Sequence, residues 1–132
     1  MEYKFKREPV SGLILVEVIF DKEYKFKMML DTGASHSTFD LNALQMEYYP
    51  TGNTIETGIV ETANGIVNVK IIRAKSISAF GHEVCNINVQ AYDFLAHGIL
   101  SDYDGVLGLD FFENTKFCVD MVEQTIELKT RR

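Results

Sequence analysis

Residues 28–35 read MMLDTGAS: an apolar run that ends in one carboxylate, followed by a hydroxyl, a glycine and two small residues. Tyr24, Phe26, Met28 and Leu30 alternate with Lys25, Lys27 and Met29, which is the period of a half-buried β-strand. Upstream, residues 13–20 (LILVEVIF) form a second apolar run, interrupted by Glu17 and read as a strand buried on much of both faces. Asp21, Lys22 and Glu23 supply a turn between the two. A strand hairpin therefore delivers Asp31 at the end of its return strand. Gly33, Ala34 and Ser35 read as a tight loop, and Asp40 can cap a short helix over residues 41–46. The pattern poses a chemical question: an aspartate brought rigidly out of a core strand needs a use, and a partner.

Period two dominates the rest of the chain. Residues 48–53 read as loop, broken by Pro50 and Gly52. Residues 54–62 rise and residues 66–72 return, with Val67, Val69 and Ile71 in one phase. Between them Ala63, Asn64 and Gly65 form the turn, since Asn-Gly tolerates positive φ at both positions of a tight hairpin. A second hairpin turns at residues 80–83 before a strand over residues 84–91, and residues 92–104 read as loop. Residues 105–114 (GVLGLDFFEN) read as a strand end, a glycine turn and a short helix; residues 117–119 and 125–128 close the chain as two short strands. There is no internal repeat, low-complexity run or linker. The pattern predicts an all-β fold of many short strands with one or two short helices.

A chain of 132 residues is expected to form one domain, and one of this size buries roughly two-thirds of its unfolded surface. Its 46% apolar and 24% charged residues lie in the globular range. Net charge is −6, and the basic residues Lys4, Lys6, Arg7, Lys129, Arg131 and Arg132 form short terminal clusters. Phosphate neutralisation calls for a larger basic stripe, so no nucleic-acid partner is expected. His36, His82 and His97 are scattered without metal-ligand spacing, and neither a metal nor another cofactor is expected. Cys85 shares its phase with Ile87, Val89 and Ala91, which predicts a buried free thiol; a single disulfide with Cys118 is the alternative. No segment approaches the ~20 apolar residues of a membrane span. Residues 13–20 follow basic residues as a signal core would, but Asp21, Lys22 and Glu23 come next rather than a small-x-small cleavage site. The cytoplasm is the expected compartment, with an exported form whose leader has been removed as the alternative.

The triplet Asp31-Thr32-Gly33 resembles the active-site triplet of aspartic proteases. A given triplet occurs by chance in about 2% of chains this long, and taken alone DTGAS also fits a strand-end turn whose Asp and Thr bond the backbone. A second match strengthens the resemblance: Val106-Leu107-Gly108, a hydrophobic–hydrophobic–glycine run leading into a short helix. In the retropepsin-like family that segment passes beside the catalytic loop and supports it from behind. The order also fits, from strand hairpin to DTGAS, flap-like hairpin, hydrophobic–hydrophobic–glycine, helix and final strand. The resemblance covers most of residues 13–128 and is nearest to single-domain, retropepsin-like bacterial proteases with DTGAS early and a GLLGMDFL-like segment late. It implies a retropepsin-like closed β-barrel over residues 1–132 with a flap hairpin. The implied activity is aspartic endopeptidase, acting as a homodimer on peptide or protein substrates.

Amide hydrolysis without a metal or covalent nucleophile needs one group to take a proton from water and another to assist the carbonyl oxygen. Two carboxylates close together do both, because they resist double ionisation and share one proton as a unit. One Asp31 per chain is half of such a pair, and a two-fold homodimer supplies the other half. The resemblance implies that Thr32 bonds across the dimer axis, that Gly33 permits close backbone approach, and that Ser35 contacts substrate backbone. It places Ala63, Asn64 and Gly65 at the flap tip, although this hairpin is not glycine-rich as in retroviral enzymes. In many acidic relatives the residue after the glycine is a serine that bonds the carboxylate; Ala34 removes that donor, which implies a less acidic pH optimum. His36 reads as an exposed loop residue rather than a base, and Asp40, Asp104, Asp110 and Asp120 read as caps and turns. The alternative function is a non-catalytic peptide-binding or dimerisation module, which has no need of an intact DTG. A phosphotransfer aspartate is disfavoured for want of a second motif acid, a P-loop and a magnesium pattern.

Overall fold

The computed structural model describes residues 1–47, 49, 54–62, 65–99 and 102–131; for residues 54–56 and 62 it describes the backbone alone. Two short strands, β1 (Glu2–Lys4) and β2 (Lys6–Arg7), precede the two apolar strands β3 (Ile14–Phe20) and β4 (Tyr24–Leu30). β3 and β4 pair antiparallel from Leu15↔Met29 to Phe20↔Tyr24. The turn takes left-handed backbone at Asp21 and Lys22 (φ 53° and 61°), matching the twist of the flanking strands. Asp21 fastens that turn to its surroundings. Its Oδ1 accepts the N–H groups of Lys75 (2.8 Å) and Ser76 (3.3 Å), and its Oδ2 accepts the Tyr49 hydroxyl (2.9 Å).

After a loop come β5 (Thr38–Asp40) and α1 (Leu41–Met46). The Asp40 carboxylate accepts the N–H of Asn42 (3.2 Å), the cap expected from the sequence. β6 (Thr54–Thr62), β7 (Gly65–Ala79) and β8 (His82–Tyr92) run as an antiparallel meander, followed by a 3₁₀ turn at Leu95–His97. The chain ends with β9 (Gly105–Leu107), a 3₁₀ turn at Leu109–Phe112, β10 (Thr115–Asp120) and β11 (Thr125–Thr130). The expected strands and α1 are present. β1, β2 and β5 are additional, each two or three residues long and too short to show a period.

Six strands close into a barrel in the order β3-β4-β9-β5-β8-β7, sealed where Ile19 and Phe20 of β3 pair with Ser78 and Ile77 of β7. β2 and β6 extend this sheet at its edges, and β1-β11-β10 form a separate three-stranded sheet. The barrel is filled by Phe20, Phe26 and Phe39, whose rings meet edge to face with centroids 4.8–6.1 Å apart, and by Val18, Met28, Ile72 and Leu107. Fully burying each such side chain contributes about 1.5–3 kcal/mol. Val67 and Val69 are buried on one face of β7, and Ile72 and Ala74 on the other.

Cys85 departs from expectation: it is exposed, as is Cys118, and both are free thiols. Asn86, with a φ of 53°, stands beside Cys85 in β8, where the alternation of covered and exposed residues changes. His82 and Val84 before it are half-buried; after it Ile87 is half-buried and Val89 and Ala91 are buried, with Gln90 and Tyr92 half-buried on the cleft side. The alternation changes phase at Asn86, and Cys85 falls on the outer face.

Candidate active site

The loop of residues 31–37 leaves the end of β4 and returns as β5. β9 lies between these two strands, parallel to β4 (Met28↔Gly105 to Leu30↔Leu107) and antiparallel to β5 (Thr38↔Val106, Phe39↔Gly105). The loop thus straddles the end of β9. Asp31 N–H donates to the Leu107 carbonyl (3.1 Å), and Leu109 N–H donates to the Ala34 carbonyl (2.8 Å). Within the loop, Ala34 N–H donates to the Asp31 carbonyl (3.2 Å) and Gly33 N–H to Asp31 Oδ1 (2.8 Å).

This packing explains the residue types of the Val106-Leu107-Gly108 run. Leu107 is fully buried and ties the segment to the core. At Gly108 a β-carbon would lie 2.8 Å from the carbonyl oxygens of both Ala34 and His36, so the loop can rest there only on a glycine. Gly105 is similarly pressed, against the Thr38 carbonyl and Phe39 Cα.

The return leg is held by Ser37 and Asp110. Ser37 is fully buried. Its N–H donates to Asp110 Oδ2 (2.8 Å), its hydroxyl donates to Asp110 Oδ1 (2.7 Å), and its Oγ accepts the Gly108 N–H (3.0 Å). The Ser37 carbonyl accepts the Gln90 N–H (3.1 Å), and Asp110 Oδ1 also accepts the Phe111 N–H (2.9 Å).

Asp31 is half-buried on the wall of a cleft of about 680 Å³, which Gly33, Ala34, Ser35 and Val106 also line. Ile59, Val60 and Glu61 of β6 form a second side, and Gln90, Tyr92 and Phe94 a third. Val60 pairs directly with the buried Val67, so this hairpin turns an apolar face inward. Ser35 Oγ lies 2.8 Å from His36 Nδ1. The phenol of Tyr103 is pushed up in pKa by burial and then by the negative charge of Asp31; Tyr92 is raised by burial, then by Tyr103 and Asp40. A partly dry aromatic flank therefore stands near the carboxylate.

Asp31, Thr32, Gly33, Ala34 and Ser35 share one loop, with Val106, Leu107 and Gly108 directly behind it. Thr32 and Gly33 are exposed. Gly65 opens β7 opposite Thr62, while Ala63 and Asn64 lie outside the described residues. Thr32, Leu107, Gly108 and Gly65 do not line the cleft. Sequence reading did not anticipate the Ser37–Asp110 link or the cleft residues of β6 and β8. One signal was available: Gln90 and Tyr92 lie in the phase opposite Val89 and Ala91, and so had to face something other than the core. Among the described residues no cluster of His, Cys, Asp and Glu is arranged to hold a metal, and no helix is long and apolar enough to cross a membrane.

The family described as "gag-polyprotein putative aspartyl protease" matches residues 16–114. The chain belongs to this aspartyl protease family. The crystal structure of a retropepsin-like aspartic protease from Rickettsia conorii shares the fold, with a TM-score of 0.69 and 24% identity over 99% of this chain and 92% of that one. No curated protein sequence matches the chain. The matched residues span the barrel strands β3 to β9, Asp31 and the Val106–Gly108 segment behind it.

Proposed function

We propose that residues 1–132 form one aspartic endopeptidase domain that works as a homodimer on extended peptide or protein segments, without metal or cofactor. The observation that carries this reading is the placement of Asp31. Its carboxylate opens on a cleft of peptide-binding size, while its backbone is tied to the buried end of β9. Asp31 of the partner subunit completes the dyad. One carboxylate takes a proton from the water as its oxygen attacks the scissile carbonyl carbon. The protonated member donates to the carbonyl oxygen, and the tetrahedral diol collapses as the leaving nitrogen gains a proton.

Thr32 and Gly33, exposed at the loop apex, are suited to meet their counterparts across the two-fold axis. Ala34 and Ser35 border the substrate path, and Val106, Leu107 and Gly108 hold the loop from behind. The β6–β7 hairpin, which borders the cleft through Ile59, Val60 and Glu61, acts as the lid that closes over bound peptide. Substrate backbone adds as a strand along the cleft, with side chains against its apolar walls.

The test compares wild type with Asp31→Asn on a peptide library while molecular mass in solution is recorded. Cleavage by a dimer, reduced at least about 10³-fold in the variant, is expected. Equal cleavage by both proteins ends the peptidase reading. An active strict monomer ends the shared dyad, and peptide binding without turnover puts the non-catalytic module in its place.

A further inference from the structure

Asp31 is fixed at its own end by the Leu107 carbonyl, but a loop is only as rigid as its far end. That far end is Ser37, and all its hydrogen-bonding groups are occupied: N–H and hydroxyl by Asp110, Oγ by the Gly108 N–H, carbonyl by the Gln90 N–H. The Asp110 carboxylate is the hub, accepting from Ser37 N–H, Ser37 Oγ and Phe111 N–H. Ser37 is fully buried, so these bonds have little competition from water.

The geometry points to Asp110 as a positioning residue for Asp31, acting through Ser37 to hold the loop on Gly108. Three features separate this from an ordinary helix-start aspartate. The carboxylate spends two of its bonds on the loop rather than on its own turn. The serine passes the constraint on to Gly108, the residue on which the Ala34 and His36 carbonyls rest. The two anchors also flank the loop: Asp31 N–H holds the Leu107 carbonyl and Ser37 Oγ holds the Gly108 N–H, at adjacent residues of one segment. Shared-proton chemistry across a dimer needs each carboxylate placed to within a fraction of an ångström. The Leu109–Ala34 bond and the Thr38–Val106 pairing hold the loop on either side of Ser37, and the Asp110 carboxylate fixes the stretch between them.

Asp110→Asn preserves shape but replaces one acceptor oxygen with a donor, which then confronts the Ser37 N–H or hydroxyl. Ser37→Ala severs the same link from the loop side and leaves the Gly108 N–H without its acceptor. Asp21→Asn is the control: it weakens the turn at the opposite end of β4 and costs stability without touching the loop. The measurements are kcat and KM well below each variant's Tm, and amide hydrogen exchange by peptide segment. Asp110→Asn and Ser37→Ala are expected to lower kcat about tenfold or more. KM should stay within about threefold of wild type, and exchange over residues 31–37 should accelerate. Asp21→Asn should keep kcat and accelerate exchange around residues 20–24 and 74–77 instead.

A kcat loss no greater than that of Asp21→Asn, a rise in KM with kcat unchanged, or unchanged exchange in the loop each overturns the assignment. The kinetic arm rests on the peptidase reading; the exchange arm does not. If wild type and Asp31→Asn show the same cleavage, that reading has failed, and loop exchange alone decides: faster in Asp110→Asn supports the positioning role, unchanged refutes it.

Discussion

Ala34 stands beside Asp31 without a side-chain donor, and Asp31 Oδ1 accepts the Gly33 N–H. Hydrogen bonds to a carboxylate favour its charged form. Ala34→Ser, by adding a hydroxyl at the cleft wall, should move the acid limb of kcat/KM down by about half to one pH unit. Rates taken across roughly pH 3 to 8 check this, and an unmoved limb contradicts it. Gly108→Ala meets a different obstacle. Its methyl would press on two backbone carbonyls, which cannot yield as a flexible side chain would. It should cost about 1–3 kcal/mol or more in denaturant unfolding, and lower activity through the displaced loop. Both positions were legible in the sequence because aspartate and glycine sit in short fixed patterns. Ser37 and Asp110 were not: their bonds join positions 73 residues apart, and nothing local to either marks the other.

At the scale of elements, strands with several turns of alternation were readable, and those set by a neighbour were not. β3, β4 and α1 follow from residues 13–46 alone. β5 exists because β9 and β8 offer it partners on both sides, and three residues cannot announce that. Cys85 shows the same limit, since the alternation of β8 changes beside the left-handed Asn86 and local periodicity does not announce it. The β3–β4 turn depends on a comparable distant contact, the Tyr49 hydroxyl on Asp21. Burial first, and then the bond to and charge of Asp21, push the Tyr49 pKa well above its ordinary value. The fold therefore favours the neutral phenol. Its contribution is complete below the ordinary tyrosine pKa of about 10 and is lost as pH rises beyond it, because the unfolded chain then releases the proton first. Tyr49→Phe should cost about 1 kcal/mol near neutral pH, and the gap to wild type should narrow above about pH 10. Urea unfolding at the two pH values measures it; a constant gap would assign the loss to packing alone.

For the whole molecule, the barrel and the family were within reach of one chain's sequence, whereas the functional unit proposed here is a property of two. The terminal sheet illustrates why. β11 is flanked by β1 and β10 of its own chain, so a partner pairing through this sheet would use an outer edge of β1 or β10. No residue pattern within β11 could indicate which. The shared dyad nevertheless has a consequence that needs no interface geometry. If each site takes one Asp31 from each chain, an Asp31→Asn subunit silences every wild-type subunit it pairs with. When subunits exchange freely, mixing equal amounts should halve the activity of the wild-type protein present, and about ninefold excess variant should leave about a tenth. Each protomer acting alone would instead retain full activity at every ratio. Preincubation long enough for exchange, followed by peptide hydrolysis at constant wild-type concentration, separates the two. A double variant, Asp31→Asn with a dimer-breaking change, should not inhibit, which distinguishes pairing from competition for substrate.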